Sequence, residues 1–263
     1  MKSQIKIFLI LTITLIAVLA YAFAPKQEDE EDVIKRISVK AWEAPKIELD
    51  SLTAFKDSVE EDMEEQVDST PQRILLFGDS MIEGLATPFA SYAAANGHEY
   101  KSVCWYSSTS IHWAKTDTLR HFINEFKPTY IMVCLGGNEL FVRDIDEREK
   151  NVKKILSIIG DIPYVWIGTP NWKKDTGIGE IHRRLVGMDR YYESDKLFER
   201  NKGLLKRGKD GAHPTFSSAS IWMDSIAVFV NSLKNKRPIL FQKYQEKVKP
   251  GNKHLTLLQP MLM

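Results

Sequence analysis

Arg73-Ile74-Leu75-Leu76-Phe77-Gly78-Asp79-Ser80 decides the fold. Four consecutive apolar residues leave no polar face, the pattern of a parallel strand buried on both sides. Gly78 ends the run, and helical character extends from Ser80 to about Ala95, where Asn96-Gly97 stops it. The same unit then recurs. Tyr100–Tyr106 reads as a second strand, Thr118–Phe126 as a helix closed by Pro128, and Tyr130–Leu135 as a third strand running into Gly136-Gly137. Asp144–Ile159 is helical, with Ile145, Val152, Ile155 and Ile159 at helix-face spacing, and Pro163–Ile167 is a fourth strand ending in Gly168. Alternation of strands and helices through short connections predicts an α/β fold, a doubly wound parallel sheet with helices on both faces.

Beyond this region the signal weakens. Residues 175–209 are less regular, with a short fifth strand expected near Arg190-Tyr191-Tyr192. A last helix is expected over Ser217–Leu233, with Ile221, Trp222, Ile226, Phe229, Val230 and Leu233 on one face. The folded domain is therefore placed at 71–234 and 235–263 is read as a basic tail, since Lys234 to the end carries seven Lys/Arg and one acid, Glu246. Upstream, 25–70 reads as an acidic stalk, with fifteen Asp/Glu against six Lys/Arg between Ala24 and Thr70.

The first 24 residues read as an export signal. Lys2 and Lys6 precede the uncharged stretch Ile7–Ala24, and Glu28–Asp32 follow it, which fits a basic cytoplasmic end and an exported body. The apolar run exceeds a usual signal core, which favours an uncleaved inner-membrane anchor facing the periplasm. Ala20-Tyr21-Ala22 still offers small residues for cleavage to a secreted form. A net charge of +1 gives no electrostatic case for nucleic acid. Cys104 and Cys134 are too few for a disulfide framework and form no CxxC or Cys/His cluster, so no metal or cofactor is expected.

In such sheets, ligands bind outside the C-terminal ends of the strands. Four ends carry suitable chemistry: Gly78-Asp79-Ser80, Ser107-Ser108-Thr109-Ser110, Gly136-Gly137-Asn138 and Gly168-Thr169-Pro170-Asn171. Ser80 on its own is a good helix cap. A serine becomes a nucleophile only beside a base that is itself oriented by a third group. Asp210-Gly211-Ala212-His213 supplies such a pair, because a tight turn sets the carboxylate against one imidazole nitrogen and leaves the other free. The Asn138 amide is a candidate donor to a developing oxyanion. Asp79, His112, Asn171 and Trp172 are candidates for lining the cleft, and Trp172 for stacking on a sugar. His98, His121, His182 and His254 have no evident partner and read as surface or packing residues.

Gly78-Asp79-Ser80, Gly136-Gly137-Asn138-Glu139 and Asp210-Gly211-Ala212-His213 together resemble the SGNH, or GDSL-like, hydrolase family over about residues 71–234. The resemblance implies a flavodoxin-like three-layer α/β/α fold and ester hydrolysis through an acyl-enzyme. By position, Ser80 would be nucleophile, His213 base and then acid, and Asp210 its orienter. The oxyanion hole would combine the Ser80 N–H, the Asn138 amide and the N–H of Ser107. The sequence departs from the family at Ser107, where glycine is usual, so a side chain there needs an unusual backbone angle or narrows the pocket. Glu139 replaces a more usual Asp and reads as structural. The family's sheet order would separate the Cys104 and Cys134 strands by two spacings, roughly 9.5 Å, too far for a disulfide.

Export and the possible aromatic rim direct the expectation to short-chain, for example acetyl, esters on a glycan. The alternatives are an O-acyltransferase with the same triad and a non-catalytic glycan-binding module. Oligomeric state is left open.

Overall fold

A computed structural model describes residues 67–260. The anchor expected over 1–24 and most of the stalk lie outside these residues. Six strands form one parallel sheet: β1 (Arg73–Gly78), β2 (Glu99–Trp105), β3 (Tyr130–Cys134), β4 (Tyr164–Ile167), β5 (Tyr191–Tyr192) and β6 (Leu255–Leu258), in the order β5-β4-β3-β1-β2-β6. Leaving out β6, the order is 2-1-3-4-5, consistent with a flavodoxin-like fold, whose chain reverses direction across the sheet between β1 and β3.

Seven α-helices are found among the described residues: α1 (Met81–Ala95), α2 (Ser110–Lys115), α3 (Thr118–Phe126), α4 (Ile145–Ile159), α5 (Ile178–Val186), α6 (Ser194–Arg200) and α7 (Phe216–Val230). The strand period of two distributes β1 between two cores. Ile74 and Leu76 pack with Ile82, Leu85 and Phe89 of α1 and with Trp222 and Ile226 of α7. Leu75 and Phe77 face the other way, onto Trp113, Leu119, Val152 and Ile155 from α2, α3 and α4. All four β1 side chains are fully buried, each contributing about 1.5–3 kcal/mol of apolar burial. No helix among the described residues is long and apolar enough to cross a membrane.

The register aligns the ends of the central strands. Gly78 stands opposite Cys104 of β2 and Cys134 of β3. A Cβ on Gly78 would lie 1.7 Å from the Cys134 carbonyl oxygen, so only glycine lets the chain leave β1 here. Both cysteines are buried and free, on strands either side of β1. Burial pushes the Cys104 thiol up to about 12.

The structure corrects several boundaries. The segment read as a basic tail is part of the folded body: Ile239 and Phe241 are buried in the α1/α7 core, and Leu255–Leu258 pairs with β2. The end of the stalk is also docked, with the Asp68 N–H donating to the Pro238 carbonyl at 3.0 Å and the Leu240 N–H to the Asp68 carbonyl at 2.9 Å. The stretch 175–209 holds α5 and α6 besides the expected short strand, and α2 begins at Ser110, at the end of the Ser107–Thr109 loop. Three histidines read as unpartnered have partners. His98 accepts the Gln72 N–H at 3.1 Å and meets the Leu240 carbonyl at 2.6 Å, His254 stacks on Tyr100, and His121 lies 3.5 Å from Glu125.

Candidate active site

Ser80 is the last residue before α1, separated from β1 by Asp79. Its backbone is already helical (φ −60°, ψ −15°), and its hydroxyl makes no capping bond. The hydroxyl instead points across to the turn before α7, where Oγ lies 2.7 Å from His213 Nε2. The other ring nitrogen, His213 Nδ1, lies 2.6 Å from Asp210 Oδ2. Asp210 Oδ1 accepts the N–H groups of Ala212 and His213 at 2.9 and 3.1 Å, which sets the turn that holds the ring. The His213 ring, followed by these backbone N–H groups, holds the Asp210 carboxyl down at about 2. An ionised carboxylate keeps the proton on Nδ1 and leaves Nε2 as the acceptor facing the serine.

The turn is gripped from outside by Arg207. Its guanidinium donates to the Ala212 carbonyl and to the Pro170 and Asn171 carbonyls at 2.8 and 3.0 Å, and lies over the Phe198 ring. The loop carrying His213 is thereby tied to the loop after β4. No sequence signal marks Arg207 for this role, because its partners are backbone carbonyls, two of them more than 30 residues earlier in the chain.

The oxyanion candidates converge at the ends of β2 and β3. One hydrogen of the Asn138 amide goes to the Ser108 carbonyl at 2.9 Å, which leaves the second for a ligand. Ser107 has φ 58°, the left-handed backbone that glycine adopts at no cost. Neither the Ser80 N–H nor the Ser107 N–H finds an acceptor among the described residues. Glu139, fully buried, accepts the Ser110 N–H and hydroxyl at 2.8 and 2.7 Å and pairs with Arg148 at 3.4 Å. It thus clamps the Ser107 loop to the Asn138 loop, in keeping with a structural role. Burial raises the Glu139 carboxyl above its ordinary range.

Two expected cleft residues are framework instead. Asp79 is buried; Oδ1 accepts the Met81 N–H at 3.0 Å, and Oδ2 accepts those of Gly136 and Gly137 at 3.3 and 3.0 Å. It joins the exit of β1 to the loop that carries Asn138, and desolvation pushes its carboxyl up to about 6. His112 is buried in a capping box, accepting the Thr109 N–H at 3.1 Å and packing edge-on against Trp105. Backbone bonding at strand ends is invisible to a reading that sees only polar residues near a cleft.

Asn171 and Trp172 line a cavity of about 710 Å³ with Lys173, Lys174, Phe198 and Lys202, on the other side of Arg207 from the serine. The Asn171 amide is occupied by Asp175 at 3.1 Å and Asp195 at 3.4 Å. The cleft at Ser80 and His213 is a different space of about 780 Å³, walled by Glu83, Tyr106, Phe216 and Trp222 among others. Glu83 and Phe216 stand one turn into α1 and at the start of α7, positions that the Ser80 and His213 motifs could have indicated. Comparison with models of protein families and with curated proteins finds no match to this chain.

Proposed function

We propose that the protein is an extracytoplasmic serine esterase of the SGNH, GDSL-like type, cleaving short acyl groups from a glycan. The observation that carries this reading is the unbroken Asp210–His213–Ser80 relay, with contacts of 2.6 and 2.7 Å. A serine beside an imidazole, itself held by an ionised carboxylate, has no common structural purpose at a strand-to-helix turn. There a capping hydroxyl would bond backbone N–H groups instead.

The chemistry follows from the geometry. As Ser80 Oγ bonds to the acyl carbon, its proton passes to His213 Nε2 and the carbonyl π electrons move onto oxygen. That oxyanion takes hydrogen bonds from the Ser80 and Ser107 N–H groups and the free Asn138 amide hydrogen. Collapse restores the carbonyl and breaks the bond to the alcohol oxygen, which leaves with the proton from Nε2. Water then attacks the acyl-enzyme by the same route, giving the carboxylic acid and free Ser80. Asp210 stays ionised throughout and supports the transient imidazolium.

Ser107 also bears on the non-catalytic alternative, whose support was the missing glycine. The serine has taken the backbone angle glycine would take, so its N–H remains available. Export rests on the apolar stretch Ile7–Ala24, which would hold the domain at the outer face of the inner membrane or be cleaved to release it. The purified protein should hydrolyse p-nitrophenyl acetate, and Ser80→Ala should reduce kcat by at least about 10³-fold. Equal turnover by that variant would overturn the proposal.

A further inference from the structure

We infer that Arg207 is a positioning residue for the base: its guanidinium fixes the peptide unit just before His213 and thereby sets where the imidazole meets Ser80. The inference rests on the esterase reading above and gives a role in it to a side chain outside the cleft. Arg207 lines the cavity beyond Asn171 and is not among the residues that wall the space at Ser80.

Burial does not hold the base. The His213 side chain is 41% exposed and that of Asp210 51%, so hydrogen bonds must set the ring. The backbone beneath it is a short hairpin. The Gly208 N–H donates to the His213 carbonyl at 2.8 Å and the Thr215 N–H to the Lys206 carbonyl at 3.0 Å, with Arg207 opposite Pro214. Neither bond involves the peptide unit between Ala212 and His213. The two poles of that unit are held separately: the Ala212 carbonyl accepts from the Arg207 guanidinium, and the His213 N–H donates to Asp210 Oδ1 at 3.1 Å. Rotation of the unit would swing the His213 Cα and carry Nε2 off its 2.7 Å contact with Ser80.

Asp210 belongs to the same turn and moves with it, so a fixed frame needs a tie elsewhere. Arg207 supplies it through the Pro170 and Asn171 carbonyls. That loop is itself anchored, because the Asn171 N–H donates to Asp195 Oδ1 at 2.8 Å at the start of α6. The guanidinium lies 5.1 Å from the centre of the Phe198 ring, which packs edge-on against Trp222 in the core. The task requires arginine. One η nitrogen serves Ala212 and the other serves Pro170 and Asn171, so a single planar fork bridges two loops at a set angle. An ammonium would bring the same charge as one point on a flexible stem.

Turnover of p-nitrophenyl acetate by full-length Arg207→Lys and Arg207→Gln tests this. Both should lower kcat about 10²-fold, the loss that follows a displacement of about 1 Å in a catalytic group, with KM little changed. The backbone bonds of the hairpin remain in both variants, and urea denaturation checks that each folds. Proton NMR adds a readout that needs no turnover. The proton between His213 Nδ1 and Asp210, across 2.6 Å, should give a far-downfield signal in the wild type that is absent from His213→Gln. Both Arg207 variants should shift or broaden it. Wild-type kcat in Arg207→Lys, a loss that falls on KM, or an unchanged signal in both variants would overturn the inference. A wild type that shows the signal yet turns over no ester would instead sink the esterase reading.

Discussion

Replacing Asp210 by asparagine changes one atom and should disable the base. Both edges of the carboxylate are occupied: Oδ1 takes two backbone N–H groups and Oδ2 takes the ring nitrogen. An amide has one accepting oxygen. If that oxygen stays on the backbone N–H groups, the NH2 faces His213 Nδ1, and the ring must carry its proton on Nε2. That is the atom needed to accept the proton of Ser80. If the amide turns over, its NH2 confronts two donors and both backbone bonds are lost. The first arrangement keeps more hydrogen bonds and prevails, so the wrong tautomer dominates. Positioned general-base catalysis contributes about 10²–10⁴-fold, and loss of the orienting carboxylate falls at the upper end. For p-nitrophenyl acetate, kcat should fall about 10³–10⁴-fold with KM little changed, because the lost interaction belongs to the transition state. The wild-type carboxyl, held at about 2, stays ionised across any practical pH profile, so its own protonation does not limit the relay. A variant retaining more than about a tenth of wild-type kcat, a barrier change too small for a lost base, would refute the orienting role.

Other perturbations separate the parts. Asn138→Ala should lower kcat about 10²–10³-fold in steady-state assays, the usual loss for one oxyanion donor. Asp79→Asn places an amide NH2 against the Gly136 and Gly137 N–H groups and should cost about 2 kcal/mol in urea denaturation at neutral pH. The pH dependence carries a sign. The folded value of Asp79, about 6, exceeds its ordinary 3.8, so the folded state holds this proton more tightly. The stability it contributes is therefore full below about 4 and lost as pH rises through about 6. Denaturation between those values should show this slope in the wild type and lose it in the variant. Ser107→Gly relieves the left-handed backbone and should stabilise the fold by about 0.5–1 kcal/mol, read as a higher urea midpoint.

The middle of the sheet was legible because β1, β3 and β4 are continuous apolar runs, and the strand ends carried the candidate site residues. Ser80, Asp210 and His213 could be assigned because each sits beside residues that make its turn: Gly78, which β3 requires to be bare, and the Asp210-Gly211 pair. What stayed hidden was long-range. β6 is four residues in a lysine-rich stretch, and its place in the sheet comes from pairing with β2, more than 150 residues earlier. Ile239 and Phe241 join the core from the same stretch, where counting charges suggested a solvated tail. α5 places Ile178, Ile181 and Val186 inward among four charged or polar residues, too sparse a stripe to stand out. Asp79 and His112 were read as cleft residues because a polar side chain at a strand end looks the same whether it faces ligand or backbone. Arg207 matters through the Pro170 and Asn171 carbonyls, which only the folded chain brings near.

The central claim is that Ser80 is an activated nucleophile. Incubation with a fluorophosphonate, followed by peptide mass analysis, reads this directly. A single adduct on Ser80 is expected, formed at least about 10²-fold more slowly in His213→Gln, the contribution of a positioned base. An unlabelled Ser80, or labelling indifferent to the loss of His213, would contradict it.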